Sequence, residues 1–205
     1  MSNTDGIERE AERVYSRVGA DLNRGASPTR LVEGVLGAGA LRWADGDWLR
    51  AGGAIARVGR HWRVYLNRRY PVRNLRFVAL HELAHYVLGG GATEDDCDAL
   101  AAVLLAPRRA FERAMASMAR PRFVPARVYG NLSAWFRCTD SFAAMRLSEV
   151  TGAPLVLISP ARARVRGAPY PWPAEFERLV RAPVLPGLRK ARLQDDPSRV
   201  VLQAR

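Results

Sequence analysis

His81-Glu82-Leu83-Ala84-His85 sets two imidazoles four residues apart, with a carboxylate beside the first. On a helix, residues four apart lie on one face, one turn above the other, so both imidazoles can reach a single metal ion. Glu82 is turned about one hundred degrees round the axis, where it can hold water at the metal's open position without being a ligand. Zinc in such a site lowers the pKa of its bound water to roughly 7. Glu82 is then placed to take the proton as general base and to return it to a leaving amine. The chain has three histidines in 205 residues, and the accidental expectation for this pattern is about 0.002. Chance is therefore a poor account of it. The competing reading is a half-buried helix edge whose histidines bond to backbone or solvent. The apolar neighbours flanking the pair favour the metal.

A zinc site of this kind needs a third protein ligand. A further histidine six residues on, preceded by glycine, is absent, because Leu88 and Gly91 occupy those places. The acidic run Glu94-Asp95-Asp96-Cys97-Asp98 follows instead. Glu94 and Asp98 are one helical turn apart, so one can bind metal while the other supports a ligand histidine through its second nitrogen. Glu94 is taken as the ligand and Asp98 as the support, with the two roles open to exchange. Cys97 reads as a small core residue in preference to a redox-sensitive one. His61, between Arg60 and Trp62, reads as a surface or packing residue. Tyr86, Tyr129 and His61 are all of the right type to be a second oxyanion donor, and spacing does not choose among them.

The elements that must position these groups follow from periodicity. Ile7, Ala11, Val14 and Val18 recur at helical spacing between Thr4 or Asp5 and Gly19. Ser27-Pro28 opens a second short helix that ends at Gly37 and Gly39. Ile55–Val58 and Trp62–Leu66 read as strands joined around Gly59. The metal-binding helix spans about 74–88, with Phe77, Leu80, Ala84 and Val87 as its apolar stripe, and Gly89-Gly90-Gly91 ends it. Thr93 and Asp96 resemble a capping box. The helix they open carries Cys97, Leu100, Ala101 and Leu104 on one face and stops near Pro107. Pro121 and Pro125 bracket an irregular joint. Leu132–Phe136 and Ser141–Val150 form a helical pair, and Leu155–Ile158 and Val200–Leu202 are strand candidates. Trp172, between two prolines, reads as an anchor for the tail.

Composition sets the outer limits. At 205 residues, with 48% hydrophobic and 25% charged side chains, the chain has the usage of a globular protein. Cys97 and Cys138 are too few for a disulfide framework or a cysteine-based zinc finger. No apolar run is long enough for a membrane span, and Met1–Glu10 lacks a secretory signature, so a cytoplasmic location is expected. The net charge is +12, yet residues 76–107 hold one basic and five acidic groups, while 51–75 hold six and none. All the basic residues except Lys190 are arginine. That bias, with abundant alanine, is what a GC-rich coding sequence produces, so direct nucleic-acid binding is possible but not favoured. The helical pair resembles a helix-turn-helix, yet Ser141–Val150 offers mainly Arg146 and Ser148 to bases, and a structural or substrate-docking role is preferred.

The sequence from His81 to His85, then Glu94-x-x-Cys97-Asp98-Ala99-Leu100-Ala101, then Leu104-Leu105-Ala106-Pro107, resembles the ImmA/IrrE family of metallopeptidases. The lead-in Val64-Tyr65-Leu66-Asn67, Arg73 and Arg76-Phe77 is similar to that family's strand, arginine-rich turn and helix start. Cys97, Leu100 and Ala106 replace the usual alanine, phenylalanine and methionine, which alters packing and leaves the proposed ligands in place. The resemblance implies a cytoplasmic zinc endopeptidase whose protein substrates are helix-turn-helix transcriptional repressors. The expected fold is α+β. A small N-terminal sheet packs on a zincin-type helical core, followed by a helical pair and a small β-containing C-terminal extension. The expected organisation is a metallopeptidase domain over 1–110, a helical subdomain over 111–152 and an extension over 153–205. The expected site is His81, His85 and Glu94 on Zn2+, Glu82 as catalytic base and Asp98 supporting a ligand. A different class of reading is a DNA-associated regulator or antitoxin-like partner with a structural metal. Hydrolysis of a formyl amide lacks the upstream cysteine ligand it would need.

Overall fold

A computed structural model describes residues 3–45, 47–49, 51–118, 126–152, 155–158, 163–166, 188–192 and 200–204. The chain divides into two compact units, Met1–Phe111 and Glu112–Arg205. The described residues form seven helices and two sheets, an α+β protein. No helix among them is long and apolar enough to cross a membrane.

In the first unit, α1 (Asn3–Arg17) and α2 (Pro28–Leu36) precede the sheet. Ser27 caps α2 by accepting the Arg30 amide, and Pro28 takes the first helical position, where its missing N–H costs nothing. The strands β1 (Leu41–Ala44), β2 (Gly53–Val58) and β3 (His61–Asn67) lie in the order β1-β3-β2. β2 and β3 form the expected antiparallel hairpin, while β1 is parallel to β3. β1 was not foreseen: Leu-Arg-Trp-Ala has no clear alternation, and its pairing partner is more than twenty residues away.

Two helices then carry the chemistry. α3 (Val72–Leu88) and α4 (Glu94–Leu105) pack closely against each other, and α3 also rests on α2, β2 and β3. Because α3 has neighbours on several sides, its buried set is Leu75, Ala79, Leu80, Leu83 and Ala84, not the single stripe expected. Phe77 instead lies 6.3 Å from the His81 ring, centroid to centroid. In α4 the expected face is fully buried: Cys97, Leu100, Ala101 and Leu104. Tyr15 ties α1 to this core by donating to the Leu104 carbonyl at 2.8 Å and accepting the Ala26 amide at 3.1 Å. After Pro107, a further helix, α5 (Arg108–Ala116), was also missed by the periodicity reading.

The second unit contains α6 (Ala126–Phe136) and α7 (Asp140–Thr151), the expected helical pair, with Thr139 capping α7 and Gly152 ending it. A four-stranded antiparallel sheet follows, in the order β5-β4-β7-β6: β4 (Leu155–Ile158), β5 (Ala163–Arg166), β6 (Leu188–Arg192) and β7 (Val200–Ala204). Two of these, β4 and β7, fall on the anticipated segments. Pro121, Pro125 and Trp172 lie outside the described residues.

Candidate metal centre

The turn between α3 and α4 brings the acidic run back against the histidines. Gly89 adopts φ 78°, a left-handed conformation that favours glycine, and its amide bonds the His85 carbonyl to close α3. Thr93 and Asp96 form the anticipated capping box, each accepting from the other's backbone amide. That cap fixes Glu94 as the first residue of α4 and sets Asp98 one turn further along the same face.

The side chains converge. His81 Nε2 and His85 Nε2 are 3.1 Å apart. The Glu94 carboxylate reaches both, at 3.2 Å from His81 Nε2 and 3.6 Å from His85 Nε2. His81, His85 and Glu94 are the one cluster of metal-ligand type found among the described residues. Donors about 2.1 Å from a tetrahedral ion stand about 3.4 Å from one another, and the three separations bracket that spacing. Glu94 is 77% exposed at its side chain, whereas His81 is 17% exposed. The cluster is therefore open on the carboxylate side.

The other nitrogen of each histidine also has a partner. Asp98 Oδ1 lies 2.9 Å from His81 Nδ1, and Cys97 Sγ lies 3.4 Å from His85 Nδ1. Assigning the proton to Nδ1 in each ring, as these contacts favour, leaves both Nε2 lone pairs aimed at the Glu94 carboxylate. Two lone pairs and a carboxylate directed at one place repel unless a cation lies among them. The donor set thus fits a divalent metal. The hydrogen bond to Asp98 holds the His81 imidazole above its usual pKa, against the opposing effect of burial.

Glu82 projects toward the sheet. Burial pushes its carboxyl above the usual carboxylate range, while His81, His85 and the backbone amide of Ile55 pull it back. The close approach of α3 to β2 requires Gly53: a Cβ there would sit 2.5 Å from Val78 Cγ1 and 3.3 Å from Glu82 Cγ. β2 is a sheet edge. The Val64 amide turns to β1, bonding Ala40, so Ile55, which faces Val64, directs its own amide away from β3. That outward amide lies on the Glu82 side of the strand and is the backbone group that lowers the carboxyl's pKa. Spacing alone could not reveal this contact, because it joins residues 27 positions apart across two elements.

Of the three tyrosine and histidine candidates for an oxyanion donor, Tyr86 packs edge-on against Trp62, with ring centroids 5.7 Å apart. His61 is exposed on β3 and outside the three-residue cluster. Tyr129 belongs to the second unit, where its hydroxyl is buried without a hydrogen-bond partner among the described residues.

Residues 48–148 match the peptidase family described as the IrrE N-terminal-like domain. They form an ImmA/IrrE-family domain of metallopeptidase type. The match takes in β2, β3 and α3 through α6, together with most of α7. The helices α1 and α2 and strand β1 precede it. Among curated proteins, none matches this chain. The solved structure of a Mycobacterium tuberculosis transcriptional regulator is similar, with a TM-score of 0.63 at 14% identity, over 97% of this chain and 87% of that one. At that identity the likeness is one of fold. The ImmA/IrrE-family domain of this chain therefore carries its motif on α3 and an acidic partner helix, α4, at contact distance.

Proposed function

We propose that this chain is a zinc-dependent endopeptidase that cleaves a helix-turn-helix transcriptional repressor. The observation that carries the reading is the convergence of His81 Nε2, His85 Nε2 and the Glu94 carboxylate, with Glu82 beside them and turned to the edge strand. His81, His85 and Glu94 would hold the metal, and zinc, when bound, supplies Lewis acidity and an acidified water.

The chain's own groups do the rest. Glu82 accepts the water proton as general base and passes it to the leaving amine. Burial raises its pKa above the ordinary carboxylate value, which strengthens it as a proton acceptor. Asp98 holds His81 in the tautomer that presents Nε2. Among the described residues the outer edge of β2 has no strand partner, so beyond the Ile55 amide that faces Glu82 it offers backbone groups with which an extended substrate segment can pair. The repressor assignment rests on what the ImmA/IrrE resemblance implies for substrates.

A DNA-associated regulator with a purely structural metal is supported less well. Arg146 and Ser148, the polar residues that α7 was expected to offer to bases, are 5% and 3% exposed. Glu149, which is exposed, carries the wrong charge for phosphate. The test is incubation of the zinc-loaded protein with a purified helix-turn-helix repressor. Cleavage that disappears in Glu82→Gln supports the proposal. Cleavage that persists in Glu82→Gln overturns the mechanism, and salt-sensitive operator binding by the variant with no proteolysis by the parent favours the regulator.

A further inference from the structure

Two consecutive residues of α4 meet the two ligand histidines from behind. Asp98 takes the Nδ1 of His81 at 2.9 Å, and Cys97 places Sγ 3.4 Å from the Nδ1 of His85. Cys97 is fully buried, so water does not compete for that nitrogen from the sulfur's side. Its place is fixed by the same capping box that sets Glu94, since Thr93 accepts at the start of α4 and the Cys97 amide bonds the Thr93 carbonyl. An imidazole that binds metal through Nε2 carries its proton on Nδ1 and must give it to an acceptor. No other contact to His85 Nδ1 is found among the described residues.

We infer that Cys97 is a positioning residue for the metal, its thiol sulfur accepting from His85 Nδ1–H and so orienting the His85 ring as Asp98 orients His81. The inference rests on the metal assignment made above and extends it to a residue that looks, from sequence, like core packing. The two supports are unequal. A carboxylate is a strong, charged acceptor, and a thiol sulfur is a weak, neutral one. His81 is consequently the more firmly held and more basic ligand, and His85 the softer one.

The experiment is a metal-affinity series on the full chain, by zinc competition with a chromophoric chelator and by the cobalt(II) absorption spectrum. Cys97→Ser keeps an acceptor, Cys97→Ala removes it with loss of volume, and Cys97→Val removes it with gain of volume. Loss of an outer partner of a ligand histidine weakens metal binding by about 10- to 100-fold. A weak acceptor belongs at the lower end, so Ala and Val should each lose about tenfold and shift the cobalt bands. Ser should return both readouts close to the parent. Affinity that follows side-chain volume, or an Ala variant with parental affinity and spectrum, overturns the inference. A failure of the metal assignment itself looks different: the parent chain would then bind neither ion, and His81→Ala would change nothing.

Discussion

Asp98 Oδ1 stands 2.9 Å from Nδ1 of His81, and the same ring turns its Nε2 to the Glu94 carboxylate at 3.2 Å. One imidazole thus links an acidic residue in the second turn of α4 to another at that helix's first residue. A carboxylate behind a ligand histidine fixes the tautomer and raises its basicity. Replacing Asp98 by Ala should therefore weaken zinc binding by about 10- to 100-fold, read by chelator competition, with circular dichroism unchanged. Unchanged affinity would mean that Asp98 merely caps the surface.

The Ile55 amide gives a way to disturb Glu82 without touching it. Because that amide points away from β3, Ile55→Pro removes the backbone N–H that favours the Glu82 carboxylate and leaves the β2–β3 ladder intact. Misplacing a catalytic group by about 1 Å can cost about 100-fold. Turnover should fall by about 10- to 100-fold while zinc content stays at that of the parent. A variant with parental kcat would show that the Ile55 contact is incidental.

Gly53 tests the packing of α3 on the sheet. A methyl group there would meet Val78 Cγ1 at 2.5 Å and the Tyr65 carbonyl oxygen at 3.1 Å. Overpacking of this kind costs about 1–3 kcal/mol, so Gly53→Ala should lower the urea midpoint accordingly. Since Glu82 Cγ is the next contact at 3.3 Å, activity should fall by more than stability accounts for. A variant as stable and as active as the parent would contradict this packing.

Alkaline pH tests the Tyr15 hydrogen bonds. Burial raises the Tyr15 pKa above its ordinary value, opposed by the Ala26 amide. The folded protein therefore retains that proton more tightly than the unfolded chain. The stability it provides is complete below about pH 10, the unfolded tyrosine value, and declines as pH rises above it. Thermal melts from pH 8 to pH 11 should be level at first and then fall, and Tyr15→Phe should lessen the fall, leaving the part that the buried Tyr129 contributes. That substitution also strips a donor from the Leu104 carbonyl, at about 1 kcal/mol. A wild-type profile with no alkaline decline would contradict the tie between α1 and α4.

What the sequence made legible was local. The spacing of His81, Glu82 and His85, the Thr93–Asp96 cap and the Ser27–Pro28 start each involve residues within one or two turns, where periodicity and capping chemistry act directly. Glu94 and Asp98 could be named but not ordered, because their roles depend on how the Gly89–Gly91 turn swings α4 against α3. Contacts made across elements stayed hidden. The parallel pairing of Leu41 with Val64, the reach of Glu82 to Ile55 and the meeting of Cys97 with His85 leave no trace in spacing. α5 was hidden for another reason: its arginine-rich run after Pro107 mimics a solvated loop until Ala110, Phe111 and Ala114 are seen buried.

The central claim is that His81, His85 and Glu94 hold one divalent cation and leave a position open to water. Crystals grown with zinc and measured at its absorption edge test this most directly. A single anomalous peak about 2.0–2.2 Å from both Nε2 atoms and a Glu94 oxygen, with a water facing Glu82, is the expected result. A peak elsewhere, no peak at full zinc loading, or a fourth protein side chain closing the coordination would contradict it.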